Sequence, residues 1–284
     1  MTAYVHIGTP KTGTTTLQRF LFENTRHMNK YSLYFSENLG RNFRSLGRDF
    51  TIEHIRFDNF YNTFKEDIKK FEREVKNIKG DLILSNEGLY DFYENTQQIF
   101  KFKNFMNEVG IDNIKIIVYI RDSVDLAISW YLYIFKVHKI NENAFEDELY
   151  KDRFMRVCNH CTLKMWEEAF GKENLIVKLF DKNEFYKGDL IKDFLHIFNL
   201  ELDEHFVIPS NQNEALDLLG VSLKTSLVKS CKDYDEFNLY ALNKVNSYNI
   251  FQAKDPSLKF MPKKEIYESY ITYFEESNEW VRKE

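Results

Sequence analysis

A chain of 284 residues with 43% hydrophobic content can bury a sizeable core, and its 10 glycines and 4 prolines mark no linker, repeat or low-complexity tract, so a single domain, 1–284, is expected. A net charge of −5 argues against a general nucleic-acid binder, whose signature is a basic footprint. No apolar run approaches the roughly 18 residues of a membrane span, and the first apolar run starts too near Met1 for a secretory leader, so a cytoplasmic location is expected.

Ala3 to Ile7 is apolar and breaks at Gly8-Thr-Pro10, after which Leu17, Phe20 and Leu21 recur at helical spacing. The chain therefore opens as strand, loop, helix. Gly8 and Gly13 let backbone approach a ligand closely, Lys11 lies between them, and Thr14, Thr15 and Thr16 stand at the helix start. Unpaired N–H groups and the helix dipole favour a phosphate at such a place. The nucleotide triphosphatase pattern G-x-x-x-x-G-K-[ST] is nearly met from Gly8 to Thr15, but Thr14 occupies the lysine position and the lysine is at 11. Charge is uneven in the same sense: residues 1–60 carry +3 and the rest −8, a locally positive mouth that suits a small anion, or ordinary surface scatter.

Residues 31–60 lack clean periodicity and are dense in aromatics and arginines, among them Tyr34, Phe35, Arg41, Arg44, Arg48 and His54. With the amphipathic helix that follows, 31–78 is a candidate acceptor lid, and packing is the competing reading. Gly80 ends that helix. Asp81 to Asn86 is a short apolar strand with Glu87 just beyond it, where open parallel sheets bind ligands. A helix is expected over 96–109. Ile114 to Ile120 has the β-branched character of a strand buried on both faces, and Arg121 closes it. Asp122 or Ser123 can cap the next helix, which carries Ser129.

A helix over 154–170, a strand over 175–180 and a helix over 190–198 follow, and the part beyond Pro209, 210–284, reads as mainly helical. Three cysteines do not make a disulfide framework. Cys158-Asn-His-Cys161 has the spacing of half a zinc site but no second ligand pair, so the pair reads as two buried thiols on a helix and no metal is expected. His6, inside the first strand, reads as a packed, hydrogen-bonded residue.

Pro10-Lys-Thr-Gly-Thr-Thr15 resembles the loop with which sulfotransferases hold the 5′-phosphosulfate of 3′-phosphoadenosine-5′-phosphosulfate (PAPS). Ile116 to Tyr131 is similar to the same family's 3′-phosphate element, a strand ending in arginine with a serine eight residues on, here Arg121 and Ser129. Ser85-Asn-Glu-Gly88 looks like the segment carrying the glutamate base of heparan-type enzymes. Trp166 to Gly171 and Glu173 to Val177 resemble bacterial carbohydrate-type members, and Asn211 to Leu216 resembles their Asn-x-Ser-Leu element, with Glu214 in the serine position.

The resemblance implies an α/β fold, a P-loop-like central parallel sheet flanked by helices with a mainly helical C-terminal part. It implies transfer of a sulfuryl group from PAPS to a hydroxyl or amine of an acceptor, a surface-glycan carbohydrate being the expected class, with 3′-phosphoadenosine-5′-phosphate (PAP) as product. Pro10, Lys11, Thr12, Gly13, Thr14, Thr15, Thr16, Arg121 and Ser129 would bind the donor. Lys11 would also stabilise the leaving oxygen, and Glu87 would be the base, with His54 in reserve. A nucleoside or sugar kinase using ATP and magnesium, and a non-catalytic nucleotide-binding protein, are the competing classes.

Overall fold

The computed structural model describes residues 1–36, 65–94, 96–137, 158–209, 217–230 and 256–283. In chain order the elements are β1 (Ala3–Gly8), α1 (Thr14–Glu23), α2 (Thr25–Met28), β2 (Leu33–Phe35), α3 (Lys65–Asn77), β3 (Asp81–Ser85), α4 (Thr96–Glu108), β4 (Ile114–Ile120), α5 (Ser123–Val137), α6 (Asn159–Phe170), β5 (Leu175–Leu179), α7 (Leu190–His196), α8 (Leu218–Ser230) and α9 (Lys264–Lys283). They fall into two compact units, Met1–Arg121 with Asn159–Ser210, and Asp122–Cys158 with Asn211–Glu284.

The first unit is built on a five-stranded sheet in the order β2-β3-β1-β4-β5, every pairing parallel. The central strands are apolar almost throughout because helices flank the sheet: Val5, Ile7, Ile83, Leu84, Ile116 and Ile117 are fully buried. Leu17, Phe20 and Leu21 of α1, Met28 of α2 and Phe194 and Leu195 of α7 form one core with Ile83, Ile117 and Tyr119. The aromatic side chains of α3, α4 and α6 meet one another, Phe71 stacking on Phe105 at 6.3 Å and Phe102 meeting Trp166 at 6.3 Å. Asp193, buried on α7, accepts hydrogen bonds from Tyr119 Oη (2.8 Å), Lys178 Nζ (3.1 Å) and the Tyr186 amide (2.9 Å), which satisfies its carboxylate inside the fold. Burial, then the hydrogen bond to Asp193, pushes the Tyr119 phenol well above its ordinary value.

The second unit is helical among its described residues. Asp122 caps α5, its Oδ1 accepting from the Val124 and Asp125 amides at 3.0 Å each. Val124, Ala127, Ile128 and Tyr131 of α5 then form a core with Val221 of α8 and Tyr270 and Phe274 of α9. Among the described residues no helix is long and apolar enough to cross a membrane.

Two expectations are corrected. Leu33–Phe35, inside the stretch read as a lid, is an edge strand of the sheet, paired in register with Asp81–Ile83 of β3. Its three residues are too few to show a period, and only the partner strand defines it. Cys158 and Cys161 are half-buried and both disulfide-bonded, not buried thiols. The number and spacing of cysteines along the chain fix neither their burial nor their bonding.

Candidate active site

The chain leaves β1 for β2 on one side of the sheet, and leaves β3, which adjoins β1, for β4 on the other. Connections that diverge from neighbouring strands open a crevice beyond their carboxyl ends. The loop after β1 and Glu87 after β3 both lie there. The β1–β4 register slips between His6 and Gly8, a bulge that ends regular pairing as the loop begins.

Gly8 sets the distance between these two strand ends. Its φ is +82°, and a Cβ built on it would lie 2.9 Å from both Cα and Cβ of Glu87 and 3.2 Å from Cγ2 of Thr14. Only glycine takes this conformation cheaply and leaves that gap. Across it, Thr14 Oγ1 donates a hydrogen bond to Glu87 Oε2. Glu87 is half-buried and starts a 3-10 turn, Glu87–Glu94, whose entry is tied by Asn86: its Oδ1 accepts from the Gly88 amide (2.9 Å), and its own amide donates to the His6 carbonyl (2.9 Å).

Lys11 has φ +71°, a conformation non-glycine residues adopt only under local constraint. Part of that constraint is Thr12, fully buried, whose Oγ1 donates to the Thr9 carbonyl at 2.6 Å and turns the loop back on itself. Gly13, also at positive φ, precedes α1, and a Cβ there would come within 2.4 Å of Leu190 and 3.2 Å of Phe180. Arg121, at the end of β4, reaches the same loop: Nη1 lies 3.5 Å from the Lys11 carbonyl, the outer limit of a hydrogen bond, and the guanidinium is 5.9 Å from the Phe180 ring centre. Two cations, a carboxylate and the start of a helix thus share one corner of the first unit, a combination suited to gripping an anion beside a group that takes a proton.

Beneath it, His6 is fully buried with Nδ1 2.8 Å from Ser85 Oγ, as a packed histidine should be. Burial pulls its pKa from 6.5 down to about 4. Among the described residues Nε2 has no hydrogen-bonding partner, so the neutral tautomer that leaves Nε2 bare has Nδ1–H donating to Ser85.

Of the expected site residues, the structure gathers Lys11, Thr12, Gly13, Thr14, Glu87 and Arg121. Pro10 and Thr16 are half-buried and Thr15 is exposed on the same loop and helix start. Ser129, half-buried on α5, belongs to the second unit. His54, Arg41, Arg44, Arg48 and the Asn211–Leu216 stretch lie outside the described residues. Sequence reasoning missed Phe180, although it follows β5 at the same sheet end and the strand-end rule reaches it. It also missed Asn159, whose Nδ2 donates to the Arg121 carbonyl at 2.8 Å.

A family model described as a sulfotransferase domain matches residues 3–177. A sulfotransferase from Alicyclobacillus acidocaldarius is similar in structure with 17% identity and a TM-score of 0.47, over 85% of this chain and 95% of that one. A sulfotransferase domain from the curacin biosynthetic pathway is similar with 10% identity and a TM-score of 0.43, over 96% of this chain and 97% of that one. No curated protein sequence matches the chain.

Proposed function

The chain belongs to the sulfotransferase domain family, and from that membership we propose that it moves a sulfuryl group from PAPS to a hydroxyl of a carbohydrate acceptor. The observation that carries the reading is the hydrogen bond between Thr14 and Glu87, which sets a carboxylate against the start of the helix that receives phosphate. In the proposed reaction the acceptor oxygen bonds to sulfur as the bond from sulfur to the bridging oxygen of PAPS breaks in line. The acceptor's proton goes to Glu87, and the bridging electron pair leaves on the 5′-phosphate of PAP. As in phosphoryl transfer, positioning and charge stabilisation supply most of the rate. Amides of residues 12–16 hold the 5′-phosphate, Lys11 neutralises charge growing on the bridging oxygen, and Arg121 serves the 3′-phosphate.

A sugar acceptor suits Arg41, Arg44 and Arg48 and the aromatics around them, through planar hydrogen bonding and ring stacking. Replacing all three should raise the acceptor's KM and leave donor affinity alone; unchanged acceptor kinetics would remove the sugar-binding role. The donor is tested by titrating the protein with PAP, and separately with ATP and magnesium. Binding of PAP without metal, and turnover of labelled PAPS, is the expected result. Magnesium-dependent ATP hydrolysis with no affinity for PAP would replace this reading with a kinase.

A further inference from the structure

We infer that Asn159 is a positioning residue of the donor site, holding the Arg121 backbone so that its guanidinium faces the phosphate loop; this rests on the proposed role of Arg121 toward the 3′-phosphate. The β4–β5 ladder ends where the Phe180 amide donates to the Ile120 carbonyl at 2.6 Å. The next carbonyl, that of Arg121, lies past the last rung. Asn159 Nδ2 donates to it at 2.8 Å.

The amide is in turn held from its other end. Tyr90 Oη donates to Asn159 Oδ1 at 3.4 Å, with Tyr90 fully buried and Asn159 only 3% exposed. A buried amide engaged through both its oxygen and its nitrogen has one orientation. Asn159 is also the first residue of α6. Tyr90 belongs to the turn that begins at Glu87. A single side chain therefore joins the segment carrying the proposed base to the residue proposed to read the 3′-phosphate.

Asn159→Asp keeps the shape and the acceptor for Tyr90 but sets an oxygen in place of the donor. Binding of PAP and of adenosine 5′-phosphate should be measured by calorimetry for the wild type, Asn159→Asp, Arg121→Ala and the double variant. Asn159→Asp should weaken PAP by roughly five- to tenfold, the worth of one such hydrogen bond, and leave adenosine 5′-phosphate within about twofold. In the Arg121→Ala background it should cost nothing further, because Asn159 acts through Arg121. Equal loss for both nucleotides, or full additivity in the double variant, overturns the inference and leaves Asn159 a packing residue. If Arg121→Ala itself leaves the preference for PAP unchanged, the 3′-phosphate role fails and the inference falls with it. Should Asn159→Asp not fold, Tyr90→Phe decides: a loss of about two- to threefold confined to PAP supports the role, and unchanged PAP affinity overturns it.

Discussion

Thr14 Oγ1 donates a hydrogen bond to the carboxylate of Glu87, 73 residues further along the chain. Gln at position 87 can still accept from Thr14 but cannot take up a proton. Glu87→Gln should therefore lower turnover by roughly 10²- to 10⁴-fold while PAP affinity and melting temperature hardly change. Near-normal turnover in that variant, beside a dead His54→Ala enzyme that still binds PAP, would move the base to His54.

Lys11 combines a charge with a backbone conformation that favours glycine. Lys11→Gly should leave the melting temperature little altered, since relief at positive φ offsets the entropy glycine adds to the unfolded chain. Turnover should fall by about 10²-fold or more and PAP affinity by much less, because only the transition state carries the added charge on the bridging oxygen. Equal losses in turnover and binding would make the lysine an anchor and nothing more.

Gly8→Ala tests the close approach of the two strand ends. The positive φ costs about 1–2 kcal/mol for an alanine, and the 2.9 Å contacts with Glu87 add strain of similar size. A drop in melting temperature of roughly 5–15 °C should result, with loss of turnover because the new methyl displaces Glu87. A variant melting within about 2 °C of wild type would show that the gap closes without strain.

The buried His6 gives stability a pH dependence of known sign. Its folded pKa of about 4 lies below the ordinary 6.5, so between these values the unfolded chain binds a proton that the folded protein does not. The contribution is full above about pH 6.5 and is lost as pH falls toward 4, by up to about 3 kcal/mol. Urea denaturation at pH 7, 5.5 and 4 should show this acid limb, and His6→Gln should flatten it from a lower starting stability. An identical limb in that variant would assign it to other groups.

Four of the five strands could be read from the chain because apolar runs of five to seven residues bounded by Gly, Pro and charge carry their own signal. Leu33–Phe35 could not, being an edge strand defined by β3 and not by its own pattern. The turn after β1 and the place of Glu87 beyond β3 were legible for a local reason: glycines, lysine and threonines are crowded into one turn, and Glu87 directly follows a strand. Asn159 was not, since its partners Arg121 and Tyr90 are 38 and 69 residues away and nothing in Cys158-Asn-His-Cys161 points to either.

The strand order bears on how the protein is made. β1 precedes both its neighbours, and the second of them, β4, begins about 110 residues later, which at ribosomal rates is roughly 5–20 s of synthesis. Over that interval Ala3–Gly8 has no sheet partner on at least one side, and a short apolar strand with a bare edge is a template for joining other chains. The nascent polypeptide is thus most prone to aggregation before Ile114–Ile120 emerges, and the crevice beyond β1 is incomplete until then. Chains stalled before residue 114 should accumulate with chaperones and fail to bind PAP, whereas the full-length chain should not.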